Sequence, residues 1–396
     1  MGAKINIAID GNFLAFAEFS LYSGYGKYPQ PLGDERKRAG FIQGLVNRIF
    51  YTINGIPKGG RLVFCLDSKS WRREVDRLYK ESREDEKGNK GIMDKETKEI
   101  FYQVLADLGE VLEQAGICVS KVQGAEGDDL LFKWAKHFNN NGENCIIITG
   151  DKDLTQNISG PSEAWTIVWN PKTNSNKIYA VDGWLSSLSK ESGNSIFDFT
   201  LNDDSGDMLK HIRDNSINVE YMSPSFYVLR KILVGDDGDD VPAVWEVKKP
   251  KTDPQEEDKF IRVTDKKAEK ILEHIMNKFS LNNKTCLDKW NDEEFQDELA
   301  GCILRVMGDV DGKEQRLQVK KRLSLNAKLV WLHEDQIPFN IQEMIKENID
   351  KSLMLEMDKS KWNKKSILEG SKFDMFGTVT PQKLDPFSFM NLPDEM

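Results

Sequence analysis

The sequence is poor in residues that cross-link a fold or hold a soft metal. It has 396 residues and only 5 cysteines, at positions 65, 118, 145, 286 and 302, with no CxxC pair. An odd, scattered set of thiols gives no disulfide framework and fits a reduced, cytoplasmic setting. The 4 histidines (His137, His211, His274, His333) stand far apart and form no HExxH, which argues against zinc chemistry. There is no GxxxxGK[ST] phosphate loop and no internal repeat of solenoid period. No apolar run approaches a membrane span, and the start, MGAKINIAID, has no signal-peptide core, so no membrane role is expected. Asn6 stands where a myristoylation signal needs Ser or Thr. Positive charge is also short: 55 Lys+Arg face 65 Asp+Glu, a net −10. That excludes a histone-like protein held to nucleic acid by bulk charge. It leaves open an enzyme of nucleic acids whose site concentrates acids locally.

What is present is enough for two or three domains. Residues 4–10 (KINIAID), 61–67 (RLVFCLD) and 145–151 (CIIITGD) are short apolar runs that each end in an acid. Runs without strict alternation suit strands of a parallel sheet covered on both faces. Helical patterns near 36–54, 95–115 and 126–139 alternate with them, which predicts an α/β domain. Ligands in such sheets bind beyond the carboxyl ends of the strands, where Asp10, Asp67 and Asp151 would project. Residues 183–222 are polar and read as an inserted or connecting element, preceded by a weak strand at 177–181. From 223 to about 358 the pattern is helical, with candidates at 225–234, 264–279, 292–307, 314–325 and 338–357. Residues 359–396 lack a period and read as a tail.

Five acidic places carry the chemistry. They are Asp10 in IDGN, Asp67 in CLDS, the block Glu126, Asp128 and Asp129 in GAEGDDLL, Asp151 and Asp153 in TGDKDLTQ, and Asp236 and Asp239 in VGDDGDDVP. A single strand-end Asp is more often a cap than a ligand. GDDGDD alone reads equally as an acidic turn, and it lacks the spacing of a calcium loop. Carboxylates converging at strand ends repel one another unless cations neutralise them. Hard oxygen donors in this number suit Mg²⁺, with Mn²⁺ able to substitute. Two such ions can clamp the attacking and leaving oxygens of a phosphodiester without a nucleophilic side chain.

In order and spacing, these five blocks resemble the structure-specific 5′-nucleases, or flap endonucleases, and most of all their phage RNase H-type members. The resemblance covers about residues 4–275 and implies a PIN/FEN-like nuclease core. In that core a mostly parallel sheet has helices on both faces, and a helical arch and a C-terminal helical region with a helix–hairpin–helix-like element accompany it. The implied division is a core over 1–182 with the arch at about 69–95, an insertion at 183–222, a DNA-binding region at 223–358 and a tail at 359–396. Two Mg²⁺ ions are implied. Asp10, Asp67, Glu126 and Asp128, with Asp151 close by, would hold the tighter one. Asp153, Asp236 and Asp239 would serve the second, with Asp129 in support. The implied activity is 5′→3′ exonuclease and flap endonuclease cleavage of RNA primers in RNA–DNA hybrids and of 5′ ends of nicked, gapped or flapped DNA. A PIN-type endoribonuclease and a non-catalytic scaffold for forked DNA are the competing readings; retention of every expected acid speaks against the scaffold.

The arch segment is Trp71-Arg72-Arg73 … Arg77 … Tyr79-Lys80 … Arg83. The spacing of Arg73, Arg77 and Lys80 predicts one face of a helix, which read alone is a solvated charged surface. With the resemblance, Arg72, Arg73 and Arg77 become nucleic-acid contacts, Lys80 and Arg83 steer the scissile phosphate, and Tyr79 (with Trp71) stacks on a base. In the hairpin position the sequence reads Val241-Pro242-Ala243-Val244, without the family's glycine, and about twenty residues intervene before VTDKKAEKIL. Ala243 at a position of positive φ would cost stability. Lys266, Lys267 and Lys270 are the phosphate-binding candidates there. In the tail, Phe373, Met375 and Phe376 within residues 371–377 resemble a sliding-clamp peptide, and the Phe387–Met390 cluster is a docking point for a single-strand-binding protein. A monomer is expected.

Overall fold

The apolar runs that end in acids become the central strands of one sheet. In this computed structural model the described residues are 4–22, 32–33, 35–53, 60–82, 93, 95–160, 164–171, 177–181, 218–249 and 259–356. The first elements are β1 (Ile5–Asp10), α1 (Gly11–Tyr22), α2 (Glu35–Ile53), β2 (Leu62–Cys65), α3 (Arg72–Val75), α4 (Lys95–Gln114), β3 (Cys118–Ser120) and α5 (Gly127–Asn140). They continue with β4 (Asn144–Ile148), β5 (Thr166–Asn170), β6 (Lys177–Val181) and β7 (Asn218–Met222). The strand order is β3-β2-β1-β4-β5-β6-β7, with every pairing parallel except β5–β6. The strands β3, β5 and β7 join those expected from the sequence.

Internal packing divides the chain into two compact units. The first comprises Met1–Ser70, Glu86–Met222 and Phe339–Met396; the second comprises Trp71–Asp85 and Ser223–Pro338. Residues 71–85 belong with the helical unit, and the helix Phe339–Leu353 belongs with the sheet.

In the first unit, Ile5, Ile7 and Ile9 of β1 join a core with Phe19, Phe41 and Phe101 from α1, α2 and α4. The rings of Phe16, Phe19 and Phe41 lie 4.8, 5.6 and 5.9 Å from that of Phe101. Each fully buried phenyl group contributes about 1.5–3 kcal/mol. Helix α5 is amphipathic and packs on β1 and β4 through a face that includes Leu131, Trp134 and Phe138. The 339–353 helix packs along the edge strand β3 through Ile341, Ile345 and Ile349. Polar bonds fix it there: Ser120 Oγ to Asn348 Oδ1 at 2.6 Å, Cys118 Sγ to the Ser352 carbonyl at 3.5 Å, and Arg61 Nη2 to the Leu353 carbonyl at 3.0 Å.

The second unit is built on helices Pro224–Val234, Asp265–Lys278, Glu293–Met307 and Lys313–Val330. Their buried faces share a core of Leu229, Ile232, Leu272, Phe295, Leu299 and Leu323. An antiparallel ribbon, β8 (Glu246–Lys248) with β9 (Phe260–Arg262), occupies the interval after the expected hairpin. Ala243 is buried and is absent from the positive-φ residues, so the expected strain at that position does not arise. The chain reverses instead at Gly235 (φ 81°) and Asp240 (φ 56°). A Cβ at Gly235 would lie 2.3 Å from the Val241 carbonyl oxygen, so the tight turn requires glycine there. Among the described residues, no helix is long and apolar enough to cross a membrane.

Candidate active site

The strand order changes direction at β1, whose neighbours are β2 and β4. A sheet with helices on its faces opens a crevice at such a switch point, beyond the strands' carboxyl ends. Asp10 ends β1, Asp67 follows β2, and Thr149 and Asp151 follow β4. The register pairs Ile9 with Ile148, which sets Asp10 beside Thr149. The Thr149 hydroxyl donates to Asp10 Oδ2 at 2.8 Å and accepts from the Asp151 N–H at 3.0 Å, tying the ends of β1 and β4 together. Asp10 Oδ1 also accepts from the Phe13 N–H at 2.9 Å, in the first turn of α1.

Asp67 is brought in from β2 by two bonds. Its N–H donates to Asn12 Oδ1 at 3.1 Å, and its Oδ1 accepts from the Gly127 N–H at 2.6 Å. The second bond carries Asp67 to the N-terminus of α5, where backbone N–H groups favour an anion. A Cβ at Gly127 would sit 2.9 Å from that same Oδ1, so the glycine of EGDD allows the approach. Glu126 and Asp129 form a reciprocal capping box at the start of α5, with Glu126 N–H donating to Asp129 Oδ2 at 3.1 Å. Asp129 is wholly buried, so its place is to fix Glu126 and the helix start. Asp128, between them, is half-buried. Asp151 Oδ1 accepts from the Asp153 N–H at 2.7 Å and caps the short helical turn Lys152–Asn157.

These carboxylates act on one another. Burial, then the negative charges of Asp67 and Asp151, push Asp10 from 3.8 up to about 7, against the opposing bonds from Phe13 and Thr149. A carboxyl group so destabilised as an anion is what a cation would relieve. The donors gathered here are hard carboxylate oxygens, which fit Mg²⁺ or Mn²⁺. Asp10, Asp67 and Asp151 lie near enough to act on one another, and Glu126 and Asp128 flank the Gly127 whose N–H binds Asp67.

The last acidic block lies in the second unit. Residues 235–241 close on themselves: the Asp236 N–H donates to the Val241 carbonyl at 2.8 Å and the Val241 N–H returns a bond at 2.9 Å. Here the acids have cationic or hydroxyl partners. Asp236 pairs with Lys231 at 2.8 Å, Asp237 with Arg262 through two bonds of 2.6 and 2.7 Å, and Asp239 Oδ2 with the Tyr79 hydroxyl at 3.1 Å. The guanidinium bonds lower the Asp237 pKa. Asn326 is buried and donates to the carbonyls of Ile232 and Pro242, both at 2.9 Å, holding the two ends of this loop.

The basic candidates divide. Lys266 and Lys270 are exposed and Lys267 is half-buried on the Asp265–Lys278 helix. Arg77 is exposed, and Arg73 donates to the Lys80 carbonyl at 3.3 Å. Arg72 corrects the expectation: it is 2% exposed, its Nε donates to the Leu329 carbonyl at 3.0 Å, and its guanidinium covers the Trp71 ring. It holds α3 to the Lys313–Val330 helix and cannot reach a phosphate. Tyr79 and Trp71 are buried too, so neither ring offers a stacking platform. The expected arch helix is one turn, Arg72–Val75, followed by turns up to Lys80, whose φ is 55°. Arg83, Phe373, Met375 and Phe376 lie outside the described residues. The sequence reading missed Thr149, Asn12 and Asn326. Thr149 stood in the T-x-D spacing and Asn12 in IDGN, both adjacent to predicted ligands.

The doubly wound sheet thus gathers Asp10, Asp67 and Asp151 at its switch point, where open α/β sheets bind their ligands. Residues 6–184, a little under half of the chain, match the family model for the 5′-3′ exonuclease N-terminal resolvase-like domain. A 5′-3′ exonuclease of Buchnera aphidicola subsp. Schizaphis graminum is 25% identical over 155 residues, 39% of this chain. That match spans about half of the relative's length, 48%. The fold is similar to that of the T5 D15 protein crystallised with metal ions (TM-score 0.50, 13% identity, 89% of this chain and 99% of that one).

Proposed function

We propose that the chain is a Mg²⁺-dependent 5′→3′ exonuclease and flap endonuclease. Its substrates are RNA primers in RNA–DNA hybrids and the 5′ ends of nicked, gapped or flapped DNA. The observation that carries this reading is the convergence of Asp10, Asp67 and Asp151, which pushes Asp10 to about 7. Asp10, Asp67, Glu126, Asp128 and Asp151 would hold one divalent ion, and Asp236 and Asp239 would serve a second. Bound ions of this kind activate water and stabilise the departing oxygen of a phosphodiester. The protein's own part is orientation. Thr149 fixes Asp10 and the turn bearing Asp151, and the Gly127 N–H fixes Asp67. Lys80, Arg77, Lys266 and Lys270 supply positive charge for phosphates in a chain of net charge −10. Binding therefore weakens steeply with salt.

The test is a 5′-labelled flap and an RNA–DNA hybrid incubated with Mg²⁺ or with EDTA. Short 5′ products that require metal are expected, and single-stranded RNA without a 5′-end requirement should be a poor substrate. Asp128→Ala should abolish cleavage and keep most of the DNA affinity; normal cutting by this variant would remove the metal assignment. Residues 371–377 are proposed to bind a sliding clamp. Equal clamp capture by the full chain and by residues 1–365 would refute that.

A further inference from the structure

The second unit assigns a role to Tyr79 that the nuclease reading does not contain. The ring is 3% exposed and sits in the helical core with Val228, Leu229 and Val241. Its hydroxyl emerges from that core onto Asp239 Oδ2 at 3.1 Å. The next residue grips Asp239 again. The Lys80 N–H donates to the Asp239 carbonyl at 3.0 Å, and the Lys80 ammonium stands 3.7 Å from the same Oδ2. Two residues on, the Ser82 N–H donates to Asp240 Oδ2 at 2.8 Å. The strand of chain at 79–82 is therefore fastened along the acidic loop residue by residue. The fastening holds Lys80 at φ 55°, a conformation that non-glycine residues seldom adopt.

We infer that Tyr79 is a positioning residue for Asp239: its hydroxyl, anchored by a buried ring, sets the rotation of a metal-binding carboxylate. The inference rests on the reading that Asp239 serves a divalent ion. Rotation about Cβ–Cγ of Asp239 would break the bond to Tyr79, so the direction of the other oxygen, Oδ1, follows from the hydroxyl. Lys80 alone could not do this, because a flexible ammonium is a point charge without directional preference. A phenol on a packed ring has one place to put its hydrogen bond. Groups that orient metal ligands in this way typically change metal affinity about 10–100-fold when removed.

The test uses the full chain without nucleic acid. Metal-free protein is titrated with MnCl₂ in a calorimeter for wild type, Tyr79→Phe and Asp239→Asn, and each is melted in parallel. Phe keeps the buried ring, so Tyr79→Phe should melt like wild type while its weaker Mn²⁺ site loses about 10-fold in affinity. In flap cleavage, the Mg²⁺ concentration for half-maximal rate should rise by a similar factor, and the rate at saturating Mg²⁺ should recover. A Tyr79→Phe protein that binds Mn²⁺ like wild type, while Asp239→Asn is weakened, overturns the role of Tyr79 and leaves the nuclease reading intact. Unchanged Mn²⁺ binding in Asp239→Asn removes Asp239 as a ligand, and the inference with it. An earlier melt with unchanged metal affinity assigns the hydroxyl to stability alone and also overturns it.

Discussion

The protein handles negative charge in two opposite ways. At the switch point of the sheet, Asp10 is surrounded by protein and by Asp67 and Asp151, and its carboxyl is pushed up to about 7. In the loop at 236–240, Asp237 meets Arg262 and is held below the ordinary carboxylate range. The first arrangement sacrifices stability and waits for a cation; the second is already neutralised by the protein. Asp10 and Asp237 thus take opposite shifts from their surroundings, one raised by burial and like charge, the other lowered by a guanidinium.

The largest effect should come from Asp10→Asn. It should cut Mg²⁺-dependent cleavage by more than the roughly 10–100-fold that changes one step removed from a metal cost. In EDTA the same variant should melt higher than wild type, because a crowded negative charge is gone. A lower melting temperature would break the comparison.

The pH dependence follows from the same residue. Its folded pKa, about 7, is raised above the ordinary 3.8, so the folded state binds more protons than the unfolded state between those values. Metal-free stability should therefore fall as pH rises from about 4 to about 7. Added Mg²⁺ should reverse the loss at the upper end. Calorimetry at pH 5 and 7.5, with EDTA or Mg²⁺, checks this; Asp10→Asn should flatten the metal-free slope.

Arg72→Ala sharpens the contrast from the basic side. It removes a buried donor to the Leu329 carbonyl and should destabilise by about 1–3 kcal/mol. DNA affinity of the folded fraction should not change, whereas Arg77→Ala should weaken binding without altering the melt. Gly127→Ala should cost a similar 1–3 kcal/mol or displace Asp67, since its new methyl would press on Oδ1. The smallest effect belongs to Asp237→Asn. Its bidentate pair with Arg262 is largely exposed, and double-mutant cycles should find only about 0.2–1 kcal/mol.

Much of this was legible in the residues. The runs INIAID, LVFC and CIII are short and largely apolar without strict alternation, which is the mark of interior parallel strands, and they place the acids at or just beyond their ends. β3 and β9 were not readable because three residues carry no period, and β8 is exposed throughout. The arch was misread for a different reason. The spacing of Arg73, Arg77 and Lys80 is helical, yet the extended backbone of Asp76 ends the helix after one turn, and Tyr79 beyond it is buried. Burial depends on tertiary partners such as Leu229 and Val241, far away in sequence. Arg72 and Tyr79 look like nucleic-acid residues by type, and only their surroundings reveal them as anchors.

The helix Phe339–Leu353 has a consequence beyond its own packing. β3 is the last strand at one end of the sheet, and such a strand presents backbone donors and acceptors that another chain can pair with. The helix lies along that strand and ties down Cys118, Ser120 and Arg61. A chain ending at residue 338 would keep every proposed metal ligand, yet bare an adhesive edge. Its failure would be self-association in the tube, not a defect in chemistry.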